Sequence, residues 1–280
     1  MTKLLILNLI FKLAYAHVGH NKSEISAFSI NTEYHVWLGL LLILFLFLKV
    51  QKYASAVHKR FFFIGWSALV LALLSSIDLY SEKMASIHML QHTLILMVAA
   101  PSLAIAGMDY YSIRAIRFLN RTKIKWLYSF FTRIMRKQRT LVSFILYAST
   151  LYIWHIPKFY NNALSMPYLH DLQHILFFFT SYLFWRAVFS PYGAKLSPTI
   201  AITYLFISML HAMVLGAMMG LSREVWYKPY IESAELLGIT PLRDQQIAGL
   251  IMWMPAGITF IISCLWSVKR ILSYSSSPIK

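Results

Sequence analysis

The stretch Thr199–Gly220, TIAITYLFISMLHAMVLGAMMG, decides the fold class of this chain, because it contains no Asp, Glu, Lys or Arg. As a helix, at ~1.5 Å per residue, it is long enough to cross a hydrocarbon core of ~30 Å. It has no continuous polar face, which an amphipathic helix on the surface of a soluble protein would need. The stretch therefore predicts a transmembrane helix.

Similar apolar runs recur along the whole chain, for example at Val36–Val50 and Phe61–Ile77. Of the 280 residues, 59% are hydrophobic and only 13% are charged, whereas soluble domains carry about 25% charged residues. We therefore predict an all-α, polytopic membrane helix bundle of about seven transmembrane helices, which together form a domain over residues 35–268. The predicted spans are 35–51, 61–79, 86–107, 140–157, 170–190, 198–219 and 245–268.

The positively charged residues that give the chain its net charge of +16 are distributed as expected for a membrane protein. Nearly all Lys and Arg lie in alternate short loops, so no separate basic domain exists that could bind nucleic acid. Under the positive-inside rule these loops are cytoplasmic, which puts the N-terminus outside and the C-terminus, with the tail 269–280, inside. The long basic loop 108–139 contains aromatic residues and is expected to lie on the inner membrane surface.

The N-terminus resembles a signal peptide over residues 1–16, ending in Ala14-Tyr15-Ala16. Lys12 interrupts its apolar run, so a retained apolar segment is the alternative. Residues 17–34 would be external in either case. Cleavage would expose the amine and imidazole of His17, which together could chelate a cupric ion. The single cysteine, Cys264, excludes a disulfide framework and any CxxC site.

The histidines gather at the external side of the predicted topology. Of ten in the chain, only His58 falls in a cytoplasmic loop. Two pairs share one pattern, His88-Met-Leu-Gln-His92 and His170-Asp-Leu-Gln-His174, each at the outer start of a span. Spacing of four places both rings on one helical face, where two imidazoles can chelate one metal ion. The alternative is that these histidines only form hydrogen bonds at the interface.

Further candidate ligands fall at a similar depth. His155 ends the fourth span, His211 lies in the outer half of the sixth, and Met252 lies in the seventh. Imidazoles with a thioether and no thiolate pair suit copper better than structural zinc. Methionine is also common core filler, so Met252 carries less weight than the histidines.

Three polar side chains are placed to orient the ligands. Asp171 lies between His170 and His174, and Asp244 and Gln245 open the seventh span. A carboxylate or amide that accepts the second ring N–H fixes a ligating histidine. Asp244 could instead be the N-cap of its own helix.

Four motifs, in order, resemble the multi-span CtaG family of assembly factors for caa-type cytochrome c oxidases. They are His88-x-x-Gln-His92 followed by Ala100-Pro101, Trp154-His155-x-Pro157, His170-x-x-x-His174 with Trp185, and Asp244-Gln245-x-x-x-Gly249-x-x-Met252-Trp253-x-Pro255. The resemblance runs from about span two to span seven. It implies a multi-pass protein of a bacterial plasma (inner) membrane that assists maturation of a copper centre of the oxidase.

The leading hypothesis is a copper-binding assembly factor with no enzymatic activity, since no catalytic triad, P-loop or paired-carboxylate site is visible. Its partners would be membrane lipid, apo cytochrome c oxidase subunits and an external copper donor. A haem-binding membrane electron carrier, with histidines from different helices as axial ligands, stays open. So does a structural subunit of the oxidase complex; a transporter is weaker, because the inner half lacks a polar path.

Overall fold

A computed structural model describes residues 33–119, 140–192 and 195–275. The predicted signal peptide, most of the segment with His17 that was predicted to be external, most of the basic loop and the end of the tail lie outside these residues. The predictions made for those segments therefore stay predictions.

Within the described residues the chain is helical and contains no strand. The helices are α1 Tyr34–Val50, α2 Ala56–Leu74, α3 Ser76–Ser81, α4 Ala85–Ala106, α5 Met108–Leu119, α6 Thr140–His155, α7 Pro157–Ser165, α8 Pro167–Phe189, α9 Pro198–Gly220, α10 Ile231–Leu236 and α11 Pro241–Ser275. Within α4, the segment Leu94–Ala99 is π-helical.

Five of these helical stretches are long and apolar enough to cross a membrane: Tyr34–Tyr53, Ala56–Leu74, Ala85–Ala106, Pro198–Gly220 and Pro241–Ser273. Helices α6 and α7, which are bent by 75° at Ile156, give a sixth if they are taken together. Helix α8, the expected fifth span, has 23 residues but is not in this set. Polar residues near both of its ends, including His170, His174 and Arg186, lower its hydropathy.

The ends of the helices follow from local chemistry. Ser75 stops α2, and its hydroxyl then accepts a hydrogen bond from the main-chain N–H of Ile77 in α3, so the span expected at 61–79 is broken. Pro157 begins α7 at a position where its missing N–H costs nothing. Gly107 ends α4 with φ +71°, and a side chain there would also lie 2.8 Å from the ring of Tyr192.

Helix α4 is the central helix of the bundle. Of its most apolar 18-residue window 78% is buried, against 17% for α1. It contacts α2, α8 and α11. Side chains on every face of α4 are therefore inside the protein, including both of its histidines, which are at most 2% exposed.

Helices α9 and α11 pack with their backbones in contact. Gly216 and Gly220 lie four residues apart on α9, and both face Gly249 of α11. A Cβ on Gly249 would lie 2.5 Å from the main-chain nitrogen of Gly220 and 2.6 Å from the carbonyl oxygen of Gly216. Small residues at this spacing are typical of close helix pairs in membranes. The contact fixes the distance between α9 and α11.

Candidate metal centre

Five histidines from three helices lie together at one end of the bundle. They are His88 and His92 of α4, His155 at the end of α6, and His170 and His174 of α8. Neighbouring rings within this histidine cluster have centroids 4.3–6.3 Å apart. Ring nitrogens of His88, His92 and His174 all lie within 4.8 Å of one another. The structure thus brings the two HxxxH pairs of α4 and α8 together.

The closest approach is between the Nε2 atoms of His88 and His92, at 2.9 Å. Two nitrogens bound to one ion at ~2.0–2.1 Å are separated by roughly 2.8–3.4 Å, depending on the angle at the metal. The pair therefore has the spacing of two ligands on one cation. Without an ion, one ring must donate a proton to the other.

Tyr230 sets the tautomer of His88. The Tyr230 hydroxyl donates its one proton to the carbonyl of Ser81 at 3.0 Å, so at 2.7 Å it accepts from Nδ1–H of His88. Nδ1 then carries the proton, and Nε2 presents a lone pair to the cluster. Burial raises the pKa of Tyr230 well above its ordinary value, which keeps the hydroxyl protonated.

The tautomer of His155 is also set by a hydrogen bond. Its Nδ1 lies 2.6 Å from the carbonyl oxygen of Leu151. A carbonyl only accepts, so Nδ1 carries the proton and Nε2 has a free lone pair. That Nε2 is buried without a hydrogen-bond partner, as are Nε2 of His170 and Nε2 of His174. Unpaired buried nitrogens are costly unless something else, such as a metal ion, binds them.

Asp244 holds the helix that carries His88 and His92. It is completely buried, and its carboxylate accepts from the main-chain N–H groups of Ala85 at 2.7 Å and Ser86 at 3.2 Å. These are orphan donors at the start of α4, where a negative charge also complements the helix dipole. Asp244 therefore caps the neighbouring helix rather than its own, and it positions the histidines without contacting them.

The two helices with HxxxH pairs are joined through the π-helical segment of α4. The carbonyl of Leu96 in that segment accepts hydrogen bonds from Ser181 at 3.0 Å and from Trp185 Nε1 at 2.9 Å, both on α8. A π-helical turn shifts the hydrogen-bonding register and often occurs at functional sites. The π-helical segment begins directly after Thr93, in the turn that follows His92. Its two hydrogen bonds hold α4 against α8 next to the histidine cluster.

A cavity of about 20 Å³, which is room for about one water molecule, lies beside His92 and His155. Its other lining residues are mostly apolar, and three of them are methionines: Met89, Met97 and Met252. Met252 thus lines the same cavity as two cluster histidines, His92 and His155.

Three residues that were expected at the metal site, His211, Asp171 and Gln245, have other surroundings in the structure. His211 is surrounded by the rings of Phe144, Tyr147 and Tyr152, at 5.6–6.2 Å between centroids. Its neighbour Ala212, about 100° further around α9, is the residue that lines the cavity. The expected place of His211 in the metal-binding group is therefore not what the structure shows.

The expected orienting roles of Asp171 and Gln245 also change. Asp171 lies 3.2 Å from Nε2 of His35, and with Glu33 these two form a separate group at the surface. The side-chain oxygen of Gln245 accepts a hydrogen bond from the main-chain N–H of Trp226 at 2.6 Å, and its Nε2 donates one to the carbonyl of Glu224 at 3.0 Å. It thereby holds the loop that covers the cluster.

Aromatic residues around the cluster were not predicted from the sequence. Tyr160 and Tyr227 stack at 4.0 Å between centroids, and the Tyr160 hydroxyl lies 3.1 Å from that of Tyr230. Phe177 packs on His92 at 4.6 Å. The three tyrosines come from α7 and from the loop before α10, and the only sequence signal is their density in Lys158-Phe-Tyr160 and Trp226-Tyr-Lys-Pro-Tyr230.

Comparison with known proteins gives one match. The sequence model of the cytochrome c oxidase caa3 assembly factor family (Caa3_CtaG) matches residues 39–273, which include every helix that contributes to the cluster. No curated protein and no solved structure matches significantly.

Proposed function

The chain belongs to the cytochrome c oxidase caa3 assembly factor family, and we propose that it assists assembly by holding a copper ion in the histidine cluster and passing it to an apo-oxidase subunit. The observation that carries this proposal is the convergence of five imidazoles from three helices, four of them buried and that of His170 half-buried. Three of the five have a buried Nε2 atom without a hydrogen-bond partner. Copper is here a cargo, since the family name assigns a role in building another enzyme.

The geometry supports an ion better than a macrocycle. The ring nitrogens of His88, His92 and His174 lie within 4.8 Å of one another. The adjoining cavity, about 20 Å³, is far smaller than a porphyrin. A haem would need two opposed histidines separated by the full plane of the macrocycle. The histidine set with neighbouring thioethers favours copper among the transition metals.

We propose seven spans, with α8 as one of them, and an external N-terminus. Helix α8 is 23 residues long, and its buried guanidinium, that of Arg186, is neutralised by Asp109 at 2.8 Å. Such pairing is how membrane spans carry a charge at acceptable cost. The cluster end of the bundle then faces outward, because Lys49, Lys52 and Lys59 lie around the connection at the opposite ends of α1 and α2.

An external site suits delivery of copper to the oxidase from outside the cytoplasm, with an external copper donor as its source. Alkaline phosphatase fused to the C-terminus should be inactive, because that end is cytoplasmic. An active fusion at the C-terminus would overturn the orientation.

Copper content tests the site itself. The purified wild-type protein, loaded with copper and desalted, should retain about one copper per chain. His92→Ala combined with His174→Ala should reduce this to near zero while the far-ultraviolet circular dichroism stays helical. His211→Ala and His58→Ala are matched controls, because both histidines lie outside the cluster, and both should retain copper. Unchanged copper content in the double variant would overturn the proposal.

A further inference from the structure

We infer that the histidine cluster takes its copper as Cu(I), with the thioether of Met252 supplying a soft contact from the adjoining cavity. This inference rests on the proposed copper-binding function and adds the oxidation state of the cargo and a residue that selects it. Two independent features of the site carry it: the charge of its surroundings and the chemistry of its cavity.

The first feature is that, among the described residues, no carboxylate joins the close group of ring nitrogens of His88, His92 and His174. The hydrogen bonds of the cluster's ring nitrogens go to one another, to the Tyr230 hydroxyl and to the Leu151 carbonyl. The two acidic residues that were expected to orient the ligands have other partners. Asp244 caps α4, and Asp171 pairs with His35.

A neutral ligand set leaves the full charge of the ion inside the protein. The cost of transferring an ion from water to a medium of low dielectric constant rises with the square of its charge, so a divalent ion costs about four times as much as a monovalent one of the same size. Charged groups inside membrane proteins are rarely left without a counter-charge. A site built only from neutral imidazoles therefore favours the monovalent ion.

The second feature is the composition of the cavity. Met89, Met97 and Met252 line it together with His92 and His155. Thioethers are soft ligands that select Cu(I), whereas Cu(II) prefers tetragonal nitrogen and oxygen coordination. Of the lining residues other than the histidines, only Thr93 and Tyr147 carry oxygen on their side chains, against three that carry sulfur. The side chains of the cavity thus present more sulfur than oxygen to an ion beside His92.

Met252 is the best placed of the three methionines to act with the histidines. It is 8% exposed and lies on α11, the helix whose Asp244 positions the start of α4. Met89 and Met97 lie on α4 itself. A ligand from α11 would connect the ion to a fourth helix.

Competition titration of the full chain in detergent micelles tests the inference. Cu(I) is presented with ascorbate and bicinchoninate as competitor, and Cu(II) is presented in air with nitrilotriacetate. We expect binding of one Cu(I) per chain, at least 100-fold tighter than binding of Cu(II). Equal or tighter binding of Cu(II) would overturn the inference and leave the proposed function standing. Binding of neither ion would overturn both.

A volume-conserving variant isolates the thioether. Met252→Leu should weaken Cu(I) binding about tenfold and leave Cu(II) binding unchanged. Met254→Leu, on the same helix but 61% exposed, should change neither. X-ray absorption of copper-loaded wild-type protein gives a readout that does not depend on the folding of a variant. A Cu(I) edge with sulfur among the nearest scatterers supports the inference, and a Cu(II) edge with nitrogen and oxygen alone contradicts it.

Discussion

Tyr230 and His88, which are 142 residues apart in the sequence, share a hydrogen bond of 2.7 Å between the phenol hydroxyl and Nδ1. The bond fixes the protonated nitrogen of His88 and turns Nε2 toward the other histidines. Outer partners of this kind typically change metal affinity 10–100-fold when they are removed. The covering loop would therefore contribute to the proposed copper site through a residue that does not itself bind the ion.

Tyr230→Phe should weaken copper binding about tenfold, because His88 loses the acceptor that selects its tautomer. Titration with a chromophoric chelator as competitor measures the change. Tyr168→Phe is the matched control, since Tyr168 is 55% exposed and lies outside the cluster. An affinity equal to that of the wild type in Tyr230→Phe would mean that Tyr230 does not orient His88.

Asp244→Ala should lower the thermal unfolding temperature of the protein in detergent. The change leaves the N–H groups of Ala85 and Ser86 without their acceptor, and loss of a cap costs about 0.5–2 kcal/mol. Copper affinity should fall as well, since the start of α4 carries His88. Glu235→Gln, at an exposed position, should leave both properties unchanged. A stable Asp244→Ala protein with normal affinity would contradict the capping role.

Gly249→Ala and Gly257→Ala should differ in their effect on stability although both positions are in α11. A Cβ at position 249 meets the backbone of α9 at 2.5 Å, and one at position 257 meets nothing within 4 Å. Overpacking costs about 1–3 kcal/mol, whereas replacing glycine by alanine inside a helix gains up to about 1 kcal/mol. Thermal unfolding should therefore occur at a lower temperature for Gly249→Ala and at an unchanged or higher one for Gly257→Ala. Equal shifts would show that the α9–α11 contact is looser than described.

Trp185→Phe and Ser181→Ala should be coupled, because both side chains donate to the carbonyl of Leu96. Each single change should cost about 1 kcal/mol, since the remaining donor still satisfies the carbonyl. The double variant should cost more than the sum, because the carbonyl then has neither donor. A double-mutant cycle on the thermal unfolding of the two singles and the double measures the coupling. Additive effects would mean that the two bonds are independent.

The sequence predicted the membrane class and the helical architecture, and it identified the family. The apolar runs and the alternation of basic loops are local properties that survive any arrangement of the helices. The same holds for the HxxxH pairs, because helical geometry alone brings residues four apart onto one face. The predicted span at 170–190 corresponds to α8, which is not among the helices long and apolar enough to cross a membrane. Polar residues that contact the interior of the bundle lower the hydropathy of this helix.

Only the tertiary structure decided which histidines meet. A helix turns about 100° per residue, so the rotation of α9 in the bundle puts Ala212 at the cavity and His211 among aromatic rings. The sequence does not contain that rotation, because it results from packing such as the contact of Gly216 and Gly220 with Gly249. For the same reason Asp244 caps a neighbouring helix and Tyr230 reaches His88. Patterns within one helix could be predicted from the residues alone, and contacts between helices were determined by how the bundle packs.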